Sequence, residues 1–157
     1  MGDKLEYRFT YGKTDFRDAK KLRQLIFVEE QGFENEFDEI DERAYHVVVY
    51  QDKCAIATGR MYFEDGKTMI LGRIAVIKEY RGTGLGSKVV KSLENKAKEL
   101  NCTTVKLSAQ QRAQMFYEKL GYQPIGEVYY DEWCPHITMS KNIWLKLNKG
   151  DIEYYEK

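Results

Sequence analysis

Gly82, Gly84 and Gly86 fall within five residues, directly between an apolar run and a stretch in which Leu85, Val89, Leu93 and Ala97 recur every four residues. The run before them, Thr68–Lys78, is apolar on both faces, as a covered central strand requires. The stretch after them, 84–100, has the single apolar stripe of an amphipathic helix. A strand that turns over glycines into a helix gathers bare backbone N–H groups and the positive end of a helix dipole at one point, which suits a phosphate. Arg81 adds a guanidinium that can fork onto a pyrophosphate. Two common phosphate-binding loops are excluded. No Gly-Lys-Ser/Thr ends the run, so it is not a P-loop. The glycines lack Gly-x-Gly-x-x-Gly spacing, and no acidic residue ends a second parallel strand at the dinucleotide-binding distance.

The remaining signals surround this unit with a mixed α/β sheet. Leu5–Tyr11 reads as a strand. Thr14 or Asp15 can cap a helix bearing Phe16, Ala19, Leu22 and Ile26 on one side. Tyr45–Tyr50 and Cys54–Phe63 read as a hairpin, and Cys102–Leu107 as a short strand. Ser108 with Gln111 resembles a capping box for a helix that closes at Gly121. Strands near Gln123–Glu132 and His136–Leu147 complete the pattern. With no repeats and no linker composition, residues 1–157 read as one domain, with 141–157 as a C-terminal extension of uncertain structure.

Lys+Arg and Asp+Glu balance at 25 each, so no net field points to nucleic acid or a membrane. Cys54, Cys102 and Cys134 are odd in number and far apart, which fits neither a disulfide framework nor a metal site. No apolar run reaches membrane-spanning length. The expectation is a soluble cytoplasmic protein without a metal. Charge is uneven locally: Arg73 to Lys98 holds seven basic residues against Glu79 and Glu94, while Glu29 to Glu42 holds eight acids and no base.

The Arg81-x-x-Gly84-x-Gly86 spacing resembles the coenzyme A pyrophosphate motif of the GNAT superfamily of N-acyltransferases. The segment from Gln110 through Ala113, Phe116, Tyr117 and Lys119 to Gly121-Tyr122 is similar to the second GNAT signature. Ile26 to Gly32, Phe37-Asp38, Tyr45 to Val48 and Cys134 to Met139 look like the ElaA-like branch, so the resemblance covers about residues 14–140. It implies a mixed, mostly antiparallel central sheet flanked by helices and splayed at the cofactor cleft. It also implies that Ile74, Ala75, Val76, Arg81, Gly82, Thr83, Gly84, Leu85, Gly86, Ser87, Gln110 and Tyr117 contact acetyl-CoA. Phe116 and Leu120, four apart, face the core in this reading.

The implied reaction is direct attack of an amine on the acyl thioester. An alkyl ammonium with a pKa near 10.4 must lose its proton, which costs about 4–5 kcal/mol at pH 7. Glu30 is the first expected acceptor of that proton and His136 the second, with Gln31 beside the substrate. A backbone N–H near Val76 would hold the oxyanion and Tyr117 the departing sulfur. The acid-rich stretch would favour a cationic small-molecule or peptide amine. A non-catalytic acyl-CoA binding module is the alternative function, and a homodimer through the strand-rich end near Trp144 is a possible assembly.

Overall fold

The computed structural model describes residues 4–144. Seven strands form one sheet: β1 Leu5–Tyr11, β2 Tyr45–Gln51, β3 Cys54–Asp65, β4 Thr68–Val76, β5 Thr104–Gln110, β6 Gln123–Asp131 and β7 Cys134–Asn142. Their order is β1-β2-β3-β4-β5-β7-β6, and every neighbouring pair is antiparallel except β4 with β5. The α-helices are α1 Arg17–Arg23, α2 Leu85–Glu99 and α3 Gln114–Lys119; α1 runs on as a π-helix over Gln24–Glu30.

Strand alternation puts the helices on opposite faces of the sheet. Val47 and Val49 belong to the core under α2, whereas Val48 between them packs with Ala19 and Leu22 of α1. The α2 stripe is fully used: Leu85, Val89, Leu93 and Ala97 are all at most 4% exposed. Burying each Leu or Val contributes roughly 1.5–3 kcal/mol. The helix sits so close to β3 that a Cβ on Gly59 would lie 2.9 Å from Leu93 Cδ1 and 3.0 Å from Val89 Cγ1. This contact fixes where the N-terminus of α2 points.

The central irregularity is a bulge in β4. Thr58 pairs with Ala75 and Arg60 with Gly72, so β4 carries one residue more than β3 over this interval. Arg73 absorbs the excess at φ 52, in the left-handed region. An extra residue exchanges the two faces beyond it. Met69 and Leu71 therefore face the α2 core, while Ala75, of the same parity, joins Ile26, Phe27 and Phe33 on the other side. Parallel pairing of β4 with β5 ends at Leu71–Leu107. β5 stays paired with β7 as far as Gln110–His136, so Gly72–Val76 and Ser108–Gln110 separate into a wedge.

Several local expectations are corrected. Neither Thr14 nor Asp15 caps α1: Phe16 occupies the N-cap position without a side-chain bond, and Asp15 instead pairs with Arg8. The strand expected from Cys102 begins at Thr104, and β4 ends at Val76 rather than Lys78. Ser108 and Gln110 are strand residues, not helix cap and helix, because β7 holds β5 in register through both. The extension expected from residue 141 overlaps β7, whose Lys141 and Asn142 pair with Val105 and Thr104. Residues 145–157 lie outside the described part.

Candidate active site

The wedge opens into a cleft of about 680 Å³. Gly72–Val76 form one wall and Ser108–Gln110 the other, with Ile26 and Glu30 of the π-helix and the following Gln31 also lining the space. The backbone of Val76 is aimed into it. Ile77 N–H donates to Ile56 C=O, and in an antiparallel ladder bonded pairs alternate with unbonded ones. Val76, opposite Ala57, therefore turns its N–H and C=O away from β3, toward the wedge. Its C=O indeed accepts from Arg81 Nε at 2.9 Å.

At the end of this wall the chain makes its glycine turn. Gly82 and Gly84 take φ 80 and 85, and α2 starts at Leu85, with Gly86 and Ser87 in its first turn. No atom lies within 4 Å of a Cβ built on Gly84, so the backbone conformation demands glycine there, while the free space leaves room for a ligand. Thr83 Oγ1 braces the turn by donating to Tyr80 C=O at 2.6 Å. Arg81 reaches over the cleft and also donates to Glu30 Oε1, at 2.9 Å.

The second expected element lies at the opposite wall. Gln110, Ala113 and Tyr117 all line the cleft, although only Tyr117 is in α3. Gln110 is committed at both ends: its Nε2 donates to Gln31 Oε1 at 2.9 Å and its Oε1 accepts from Arg112 Nε at 2.8 Å. The Tyr117 ring packs edge-on against Phe116 and Tyr122, and burial pushes its phenol well above the ordinary range. Phe116 is corrected from core to cleft wall. It is 36% exposed, and its Cζ would lie 3.4 Å from a Cβ on Gly86.

Glu30, Gln31 and His136 also line the cleft. The hydrogen bond from Arg81 holds the Glu30 carboxyl below the usual carboxylate range. The Nδ1–H of buried His136 donates to Cys134 C=O at 3.0 Å, which leaves the Nε2 lone pair uncommitted. Tyr129 stacks on this ring and Phe33 meets it edge-on.

Sequence reasoning missed what the acid-rich stretch does. Arg23, 1% exposed, binds Glu36 and Asp41; Arg60, 4% exposed, binds Asp38 and Asp41; and Arg73 binds Glu36 and Asp38. Three of the eight acids thus face inward onto arginines that lie outside the stretch. Glu30 is paired with Arg81 as well, so half of the eight acids expected to charge the acceptor mouth are held by arginines of the protein itself. Glu29, Glu30, Glu34, Glu39 and Glu42 of the stretch are exposed to solvent.

A bulged parallel wedge ending in a glycine turn, with a half-buried tyrosine opposite, defines an α/β acyltransferase. The chain belongs to the GNAT acetyltransferases: the family described as "Acetyltransferase (GNAT) domain" matches residues 13–143. Among its relatives is YyaT of Bacillus subtilis, 38% identical over 136 residues, covering 83% of this chain and 91% of YyaT. Escherichia coli ElaA shares the fold at a TM-score of 0.78 with 26% identity, over 88% of this chain and 100% of ElaA. An acyl-CoA N-acyltransferase of Pseudomonas aeruginosa matches at 0.79 with 26% identity, over 88% and 99% of the two chains. The protein is an N-acetyltransferase of the GNAT type, and no helix among its described residues is long and apolar enough to cross a membrane.

Proposed function

We propose that this protein transfers an acetyl group from acetyl-coenzyme A to a primary amine by direct attack, without a covalent enzyme intermediate. The observation that carries the proposal is the β4–β5 wedge, with Val76 N–H turned into it and the Gly84-led helix at its end. The residues suit such a ligand. The backbone from Gly82 to Ser87 and the Arg81 guanidinium receive the pyrophosphate. Ile74, Ala75 and Val76 present a free strand edge to the pantetheine arm, with Gln110 and Tyr117 on its other side.

His136 Nε2 takes the proton of the attacking amine, directly or through water, as the amine nitrogen bonds to the thioester carbon. Glu30 is the poorer acceptor while Arg81 holds it ionised, and Gln31 lines the acceptor's approach. Val76 N–H donates to the oxyanion that forms. As the C–S bond breaks, the Tyr117 hydroxyl donates a hydrogen bond to the leaving sulfur. A thiol near 8.5 and an ordinary tyrosine near 10 make complete proton transfer uphill by about 2 kcal/mol, and burial of Tyr117 adds to that. Tyr117 therefore stabilises the thiolate, which is protonated later from solvent.

Acetyl-CoA-dependent thiol release, followed across a panel of primary amines, tests the reading. Release stimulated by at least one amine, with the acetylated product found by mass spectrometry, is expected. Coenzyme A binding with no amine-dependent release would contradict it.

A further inference from the structure

Residues 33–36 cross the acceptor end of the cleft and are fastened to both of its walls. On the β4 side, Arg73 donates from Nε and Nη2 to Glu36 C=O at 3.2 and 2.9 Å, and its Nε lies 2.9 Å from the Glu36 carboxylate. On the far side the fastening is Glu132, in the turn between β6 and β7. Its carboxylate accepts Glu34 N–H at 2.9 and 3.1 Å and Asn35 N–H at 2.9 Å. Glu132 itself sits at φ 55, a conformation unfavourable for a side chain of this kind and here held by two bonds to a segment 97 and 98 residues away. Beside the Glu132 fastening, the Phe33 ring lies on Trp133, centroids 5.4 Å apart. Phe33, Asn35 and Glu36 form the inner surface of this strap, facing the cleft together with Arg73 and Glu132.

We propose that this strap restricts the acceptor to a small amine on a slender arm and excludes a lysine or N-terminus carried by a polypeptide. The inference rests on the acyl-transfer reading and narrows its substrate class. An extended chain needs about 4.7–4.9 Å of clearance from the backbone beside it, and more for its side chains. Hydrogen-bond contact between strap and hairpin leaves no such opening. For a polypeptide to lie across this end, both charge-assisted bonds to Glu132 would have to break and Phe33 would have to leave Trp133. An amine on an alkyl arm needs only the width of a methylene chain.

Two coenzyme A conjugates test this by calorimetry. One carries butylamine on an acetyl linker from the sulfur; the other carries the ε-amine of the central lysine of a nonapeptide on the same linker. The wild-type protein is expected to bind the butyl conjugate at least as tightly as coenzyme A, and the peptide conjugate at least tenfold more weakly. Glu132→Ala should reduce that difference at least threefold while leaving coenzyme A affinity unchanged, with Glu132→Gln intermediate. Equal binding of both conjugates by the wild type, or a difference that ignores Glu132, overturns the strap. Failure of coenzyme A itself to bind would instead refute the acyl-transfer reading. Hydrogen exchange then still decides the strap without any ligand. The Glu34 and Asn35 amides should be protected in the wild type and exchange at least tenfold faster in Glu132→Ala; unprotected amides in the wild type overturn it.

Discussion

Arg81 Nη2 lies 2.9 Å from Glu30 Oε1, so the arginine that opens the glycine turn is bound to a carboxylate at the end of the π-helix. Under the proposed function, pyrophosphate and Glu30 would compete for the same guanidinium. Replacing Arg81 with Ala should weaken coenzyme A binding about 10- to 100-fold, the range for losing a hydrogen bond to a charged group. Glu30→Gln should leave that affinity unchanged or raise it, because Arg81 is released. A clear loss of affinity in Glu30→Gln, measured by calorimetry, would place Glu30 on the ligand rather than on Arg81.

Tyr117→Phe should preserve coenzyme A affinity within about threefold while lowering kcat roughly ten- to a thousand-fold, as expected for loss of one positioned donor. Because burial raises the phenol, no alkaline limb from Tyr117 should appear in kcat up to pH 10. His136→Gln should lower kcat/KM roughly a hundred-fold or more, as loss of a positioned general base does. Unchanged kcat/KM in that variant transfers the base role to another group.

The interior charges make a sharp contrast in stability. Asp41, 0% exposed, binds both Arg23 and Arg60, so Asp41→Ala should cost about 3–5 kcal/mol by leaving buried cations unpaired. Its neighbour Glu42 is 67% exposed and only 3.8 Å from Lys13, and Glu42→Ala should cost under about 0.5 kcal/mol. Urea unfolding of both variants checks this; similar losses would mean that the network contributes no more than a surface pair.

His46 gives a pH signature. It is 1% exposed, donates from Nε2 to Asp41 C=O, and burial lowers its pKa below the ordinary value of 6.5. The unfolded chain therefore binds the proton more readily than the folded one. The stability His46 contributes is complete above about pH 6.5 and is lost as pH falls toward the folded pKa. The urea midpoint should drop between pH 7.5 and 5.5, and drop less in His46→Gln. Identical drops in the two proteins would rule out His46 as the source.

What could be read from the sequence was local. The four-residue recurrence of Leu85, Val89, Leu93 and Ala97 needs only its own helix to be interpreted, and all four are buried. The glycine turn after β4 was legible for the same reason. Misreadings arose where distant partners decide. Ser108 and Gln111 have the spacing of a helix cap, yet β7 extends β5 through Ser108 and Gln110 by cross-strand pairing. Phe116 and Leu120 have core spacing, and Leu120 does pack on the core, but α3 is only six residues long and lies at the cleft, where Phe116 stays 36% exposed. The acids at 36, 38 and 41 gave no sign of their partners because the stretch from Glu29 to Glu42 holds no base; their arginines come from α1, β3 and β4. Arg73 carries no local sign that it will adopt φ 52, since that conformation follows from the register of β3 and β4.

The most direct measurement is a calorimetric titration of acetyl-CoA into the wild-type protein and Gly84→Val. A β-branched residue at φ 85 is strained by about 1–3 kcal/mol and adds bulk where the pyrophosphate approaches. One equivalent should bind the wild type, and the folded variant should bind at least tenfold more weakly. A folded Gly84→Val that binds acetyl-CoA as tightly as the wild type would contradict the placement of the cofactor on this loop.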